Sequence, residues 1–346
     1  MLNDQQLLRG RPVAADTLAS LRNWFPVTLQ GREIVWRHVP ERFTASFFAD
    51  TLLQQEPAQR YICRTGFDWL TRLEPALTPS AFIFHSSRCG STLLAQLLAT
   101  LPCCIVMSEP PIVDAFLRRH QAESAGLRQL IQALGQRRSA EESHFFIKLD
   151  SWHIQSLPIL RAAFPHTPCW FLYREPEAIL ASHQRRRGPQ MVPGMIASLT
   201  PETLAAGDLD GYCAKVLAGF FEAALANVEH LQLINYRQLP DILWQDLLPR
   251  QGLDCTSEQL ERMRQRAGFH AKDQSISFSV DAPPTSSHAM LQERVAPLYA
   301  RLEQRRCYAL GQSAINKTHD DSTKKQNADD TDDYTRRAQV INADNP

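Results

Sequence analysis

Apolar positions along this chain change period from one stretch to the next. From residue 81 onward, apolar runs of four or five residues alternate with longer stretches where apolar residues recur every three or four positions. The runs 81–85 (AFIFH), 145–149 (FFIKL), 169–173 (CWFLY) and 231–236 (LQLINY) predict strands buried on both faces. The segments 91–101, 111–121, 124–137, 153–164, 176–187, 209–230 and 257–267 predict helices, with Leu93, Leu94, Leu97, Leu98 and Leu101 forming one apolar stripe. Such alternation favours an α/β fold over residues 79–312, a parallel β-sheet flanked by helices. Ahead of it, residues 1–78 form an N-terminal extension. There VTLQGREIVWRHV reads as a hairpin turning at Gly31, and the aromatic residues between 24 and 70 read as core. Behind it, residues 313–346 lose the apolar period altogether and read as a disordered polar tail.

Between strand 81–85 and the leucine stripe stand Ser86, Ser87, Arg88, Cys89, Gly90, Ser91 and Thr92. Small polar residues at a strand-to-helix turn suit an anion, because the first helical turn has unpaired N–H groups and partial positive charge. Ligands of open parallel sheets bind beyond the carboxyl ends of the strands, and the loop after Tyr173 falls on the same edge.

Composition narrows the ligand. The 346 residues carry 37 basic and 37 acidic side chains, so no global field draws the chain to nucleic acid or an anionic membrane. Any anion site is therefore local. The amino terminus MLNDQQLLRG holds no apolar core of signal-peptide length, and no apolar run approaches bilayer length. The eight cysteines form no CxxC pair and no His/Cys cluster at zinc spacing, which suggests reduced, buried thiols, no metal and a cytoplasmic protein.

The loop does not follow the G-x-x-x-x-G-K-[ST] pattern of ATP and GTP sites, because Ser91 follows Gly90 and His85 stands where the first glycine belongs. It is not a cysteine-phosphatase loop either, since Ala95 occupies the arginine position. It resembles the sulfotransferases that use 3′-phosphoadenosine 5′-phosphosulfate (PAPS). Their 5′-phosphosulfate loop, P-[KR]-[SA]-G-[ST]-[TS]-[LW], matches Ser87, Arg88, Cys89, Gly90, Ser91, Thr92 and Leu93, with Ser87 replacing proline. A second match is FLYREPEAILAS, which sets Arg174, Pro176 and Ser182 in the register of the family's 3′-phosphate motif. LQLINYRQL is a weaker echo of a structural segment, with Arg237 in place of the usual acid. The resemblance covers roughly residues 80–280.

The resemblance implies a P-loop-like sulfotransferase fold and a PAPS co-substrate. Arg88 would neutralise the leaving phosphate, together with the backbone of Cys89, Gly90, Ser91 and Thr92. Arg174 and Ser182 would hold the 3′-phosphate, and Ser87 and Lys272 would add contacts. It implies Glu109 as the base, with Lys148 helping the leaving group; Asp150 and His153 are alternative bases. A carboxylate in a water-poor cleft is expected to have a raised pKa. Cys89, beside Arg88 at a helix N-terminus, is expected to be an acidic thiol. The expected acceptor is a hydroxyl or amine of a small molecule, a glycan or a peptide. A kinase with a degenerate loop and a nucleotide-binding protein without turnover are the competing readings.

Overall fold

The hairpin around Gly31 extends into a four-stranded sheet. Its strands are β1 (Arg11–Pro12), β2 (Trp24–Gln30), β3 (Glu33–His38) and β4 (Tyr61–Thr65), in the order β1-β4-β3-β2. Gly31 turns the hairpin with a φ of 60°, a conformation that glycine adopts without steric cost. Trp24, Phe25, Trp36, Phe43 and Phe48 are buried, as the aromatic content suggested. A short helix, α1 (Phe48–Gln54), joins β3 to β4. The computed structural model describes residues 4–18, 20–73, 76–119, 123–196, 199, 207–277 and 288–311.

The continuous apolar runs pair side by side as a second sheet, five strands wide and parallel throughout. These are β5 (Ala81–His85), β6 (Cys104–Ser108), β7 (His144–Lys148), β8 (Cys169–Tyr173) and β9 (Gln232–Asn235), in the order β6-β7-β5-β8-β9. Every residue of β5 is buried, as its unbroken apolar sequence requires. The chain leaves β5 for β6 and β7 on one side, then crosses to β8 and β9 on the other. The carboxyl end of β5 is therefore the switch point where such sheets bind ligands.

Helices α2 (Ser91–Ala99), α3 (Pro111–Arg119), α4 (Ser124–Leu134), α5 (Leu157–Ala163), α6 (Pro176–Arg185), α7 (Leu209–Ala226) and α8 (Ser257–Ala267) connect and flank the strands. Leu94, Leu97 and Leu98 of α2 pack into one buried cluster with Ile83, Phe146, Trp170 and Ile234. Burying each such leucine contributes roughly 1.5–3 kcal/mol. Helices α3 and α4 also pack on β2, which ties the N-terminal sheet to the parallel one. Predicted helix 153–164 begins earlier, as a 3₁₀ turn at Ser151–Ser156 that runs into α5. The last two positions of predicted helix 111–121 lie outside the described residues.

One strand of the parallel sheet is new relative to the sequence pattern. Residues 104–108 (CIVMS) form the edge strand β6, and Glu109 follows directly at its carboxyl end. Contacts divide the chain into a unit from Met1 to Ala300 and another from Arg301 to Pro346. In the second, the described residues 301–311 are helical, and Arg306 donates to Glu303 at 2.8 Å. The predicted tail 313–346 lies outside the described residues. Among the described residues no helix is long and apolar enough to cross a membrane.

Candidate active site

The turn after β5 is held by its neighbours on both sides. The Ser86 N–H donates to the Leu172 carbonyl of β8 at 2.9 Å. The Cys89 thiol donates to the same carbonyl at 3.1 Å. Ser87, Arg88 and Gly90 have φ values of 71°, 49° and 83°. For Ser87 and Arg88 this left-handed backbone is strained, and strain of this kind is retained where surrounding structure dictates it. Gly90 also has a steric reason to be glycine. A Cβ there would stand 2.6 Å from a Leu239 methyl and 2.9 Å from the Tyr236 ring.

Two neutral histidines fix the turn from behind. His85 Nδ1 accepts the Ser87 N–H at 3.0 Å, which places its proton on Nε2, 3.0 Å from the Leu149 carbonyl. Burial, and then the Lys148 charge, lowers the His85 pKa to about 4. His183 of α6 accepts the Gly188 N–H on Nδ1 at 3.3 Å, so its Nε2–H donates to Ser87 Oγ at 3.1 Å. Burial and the charges of Arg88, Arg187 and Lys272 lower its pKa to about 3. Gln190 donates to the same Ser87 oxygen at 2.8 Å. Ser87 Oγ thus accepts two hydrogen bonds, and its own proton has no protein acceptor among the described residues.

Positive charge gathers around the turn. Arg88 donates to the Arg186 carbonyl at 2.6 Å, and its pKa is lowered by burial and by Arg186 and Arg185. Lys272 sits in the turn between β10 (Phe269–His270) and β11 (Asp273–Ser277). Although the residue is exposed overall, burial of its ammonium end and repulsion from Arg88 and Lys148 lower its pKa to about 8. Its Nζ lies 5.2 Å from the Phe47 ring centroid, and Lys148 Nζ lies 5.3 Å from the same ring. Cations that depress one another's pKa in this way fit a site built for a multivalent anion.

Glu109 is the acid among them. Its backbone φ is 55°, and its N–H donates to the Lys148 carbonyl at 2.6 Å. That bond and the pairing of Ser108 with Lys148 across β6 and β7 bring the two side chains together. Lys148, buried at the end of β7, donates to Glu109 Oε1, and His85 Nε2 lies 3.5 Å from that oxygen. Burial raises the Glu109 pKa, but Lys148 and His85 outweigh it and hold the carboxyl well below its usual range. The expected upward shift is therefore reversed, because a buried ammonium faces the carboxylate directly. The Glu109 side chain keeps 24% exposure, enough for a ligand to reach it.

The alternative bases are less open. Asp150 is buried, and its burial and then the charges of Glu109 and Asp114 push its carboxyl well above the usual range. His153 is buried on the turn 151–156, with Nε2 3.2 Å from Asp114 Oδ1 and Nδ1 3.9 Å from Asp150 Oδ2. The Trp152 indole donates to the same Asp114 oxygen at 2.8 Å.

Arg174 leaves the end of β8, beside β5. Its guanidinium carbon lies 4.2 Å from the centroid of the Tyr236 ring, whose edge backs Gly90. Tyr236 thus joins the turn 86–92 to the Arg174 strand end on one edge of the sheet. It lies in the segment that the sequence marked only as structural, as the last residue of the predicted strand 231–236; the strand ends at Asn235, and Tyr236 opens the turn that follows. Ser182 is half-buried on α6, two turns beyond Arg174 and adjacent to His183.

Cys89 departs from expectation. It is fully buried, and that burial raises its thiol pKa despite the helix N-terminus beside it. Its side chain packs inward, leaving the backbone N–H of the turn as its means of meeting a ligand. All eight cysteines are free thiols. Among the described residues no group of His, Cys, Asp or Glu could hold a metal ion.

No protein-family model matches the chain, and no curated protein matches it. Among solved structures it is similar to sulfotransferase STF1 from Mycobacterium tuberculosis H37Rv, at 15% identity and a TM-score of 0.42 over 64% of this chain and 77% of that one. It is similar to the sulfotransferase domain of the curacin biosynthetic pathway, at 16% identity and a TM-score of 0.40 over 65% and 98% of the two chains. Mouse sulfotransferase SULT7A1, solved in complex with PAP, matches at 12% identity and a TM-score of 0.39 over 69% and 90%.

Proposed function

We propose that the chain is a PAPS-dependent sulfotransferase. The observation that carries this reading is the single edge on which Arg88, the strained turn, Tyr236 and Arg174 stand together. A nucleotide with phosphates at both its 3′ and 5′ positions needs two separate cationic grips, and this edge offers them on adjacent strands. In this reading Arg88 and the N–H groups of residues 89–92 hold the 5′-phosphate, assisted by the hydroxyls of Ser87, Ser91 and Thr92. Arg174 and Ser182 take the 3′-phosphate, where a planar guanidinium donates several hydrogen bonds at once. Lys272 supplies a further cation.

Transfer forms a bond between the acceptor oxygen and sulfur while the bond from sulfur to the 5′-phosphate oxygen breaks. The acceptor's proton passes to a carboxylate, and the leaving phosphate takes the charge. The protein positions these groups and neutralises the developing charge, with no metal needed. Lys148 has two partners to choose between. At rest it holds Glu109, and when a negatively charged donor arrives it turns toward the departing group. That movement relieves Glu109 of its counter-charge, and burial then raises its proton affinity as the acceptor arrives. The eight free thiols suit a reducing, cytoplasmic setting.

Arg174 provides a direct test. Arg174→Ala is expected to weaken binding of 3′,5′-adenosine bisphosphate by about 10–100-fold, the cost of removing a charged hydrogen-bonding partner. Binding of adenosine 5′-phosphosulfate, which lacks the 3′-phosphate, should change less than threefold. Calorimetry on both ligands measures the difference, and equal losses would remove Arg174 from the 3′-phosphate site.

A further inference from the structure

We infer that the cleft between residues 44–54, α2 and Lys272 is the acceptor site, and that it takes a small, uncharged, polyhydroxylated molecule. The inference rests on the sulfotransferase reading above. The cleft encloses about 330 Å³ and is lined by Thr44, Ser46, Asp50, Gln54, Gln96 and Lys272, with Leu53 the one large apolar side chain among its lining residues. That volume is near the lower end for small-molecule sites, and it suits a monosaccharide-sized ligand better than a polymer.

Its walls are tied in place. Gln96 of α2 donates to the carbonyls of Thr44 and Ala45 at 3.1 and 3.0 Å. Its own oxygen accepts from Arg266 of α8 at 3.1 Å. Ser46 donates to the Ala271 carbonyl at 3.1 Å, which links the wall to the hairpin carrying Lys272. The N-terminal extension therefore supplies one side of the cleft, and the α/β body supplies the other.

Its position joins it to the chemistry. Phe47 interrupts the lining residues Ser46 and Asp50, and the ammonium groups of both Lys148 and Lys272 lie beside its ring. Lys148 is the partner of Glu109. Burial, and then repulsion from Arg88 and Lys148, lowers the Lys272 pKa, while burial raises that of Asp50 against the opposing charge of Lys272. A molecule seated against Lys272 therefore shares the Phe47 ring with Lys148, the partner of the proposed base.

Lining chemistry selects the class. The lining holds one carboxylate, Asp50, and one ammonium, Lys272, so neither a cation nor an anion finds uniform support. A carboxylate accepts hydrogen bonds without donating, which suits neighbouring hydroxyls, and the Gln54 amide and Thr44 hydroxyl can do both. With a single large apolar side chain, the lining gives little purchase to a phenol or a sterol. Asp50 also lies in the first turn of α1, where it takes a backbone hydrogen bond from Phe47. A purely capping role would affect stability and leave acceptor affinity untouched.

The experiment offers PAPS with methyl β-D-glucopyranoside, myo-inositol, 4-nitrophenol or 2-phenylethylamine and detects sulfated product by mass spectrometry. Sulfated glucoside or inositol is expected. Asp50→Asn should then raise the KM for that polyol about tenfold, leaving kcat and bisphosphate affinity within twofold. Gln54→Leu, at an exposed position on the rim, should raise KM in the same direction. Transfer to neither polyol, or unchanged KM in both variants, overturns the acceptor assignment. If bisphosphate binding is intact in that case, the donor reading survives alone; if the unaltered protein does not bind bisphosphate, both fall.

Discussion

Glu109→Gln is expected to lower turnover by about 10²–10⁴, the usual contribution of a positioned base, while bisphosphate affinity stays within threefold. The amide keeps the shape of the side chain and its contact with Lys148 but cannot take the acceptor's proton. Lys148→Met gives the complementary result. It should lower turnover by about 10²–10³, as losing a preorganised charge at a leaving group does. It should also move the pH profile of kcat/KM. In the unaltered protein Lys148 and His85 hold the Glu109 carboxyl well below its usual range, so the acid limb lies below pH 4.5. Without the ammonium, burial is opposed by His85 alone and the limb should climb. Stopped assays with labelled PAPS across pH 4–8 measure both effects. A fully active Glu109→Gln variant would pass the base role to Asp150 or His153, and an unmoved acid limb would separate Lys148 from the base.

The second large effect is on stability at low pH. His183 has its pKa lowered from 6.5 to about 3, and His85 to about 4. For a base whose folded pKa is depressed, the unfolded chain takes up the proton first. The stability present above pH 6.5 is therefore lost as pH falls toward the folded pKa. His85 accounts for a loss on the order of 3 kcal/mol, and His183 for somewhat more. Asp150, with its raised pKa, works in the opposite direction over part of this window. Comparison with His183→Gln isolates the histidine, because the amide can still donate to Ser87 and does not titrate. Relative to the unaltered protein, the variant should gain about 1.4 kcal/mol per pH unit between pH 6 and pH 4. Urea unfolding at pH 7, 6, 5 and 4 measures this, and parallel stability curves would show that His183 is not held neutral in the fold.

Both effects arise from contacts that no local pattern contains. The strand, polar turn and leucine helix at 81–99 were legible because one chain segment carries the whole motif. The strand that ends before Arg174 and the helix that Pro176 opens were legible for the same reason. Strand β6 was not, since CIVMS is a five-residue apolar run between two loops and its period cannot distinguish strand from connector. The hairpin at Gly31 was visible, whereas β1 and β4 needed partners from distant sequence. Lys148 reaches Glu109 across 39 positions, through strand register alone, so the sign of the Glu109 shift depended on three-dimensional pairing. Cys89 shows the same competition. A helix N-terminus favours a thiolate, but a fully buried side chain beside the Leu172 carbonyl meets a stronger penalty from desolvation. His183 and Gln190 hold Ser87 from about 100 residues away, which no spacing rule would reveal.

The claim beneath all of this is that one nucleotide spans the β5 turn and the Arg174 strand end. Titrating the protein with 3′,5′-adenosine bisphosphate in the presence of EDTA tests it most directly. The expected result is one bound molecule per chain at micromolar concentration or below, at least tenfold tighter than adenosine 5′-monophosphate. No binding, binding that requires magnesium, or equal affinity for the two nucleotides would contradict it.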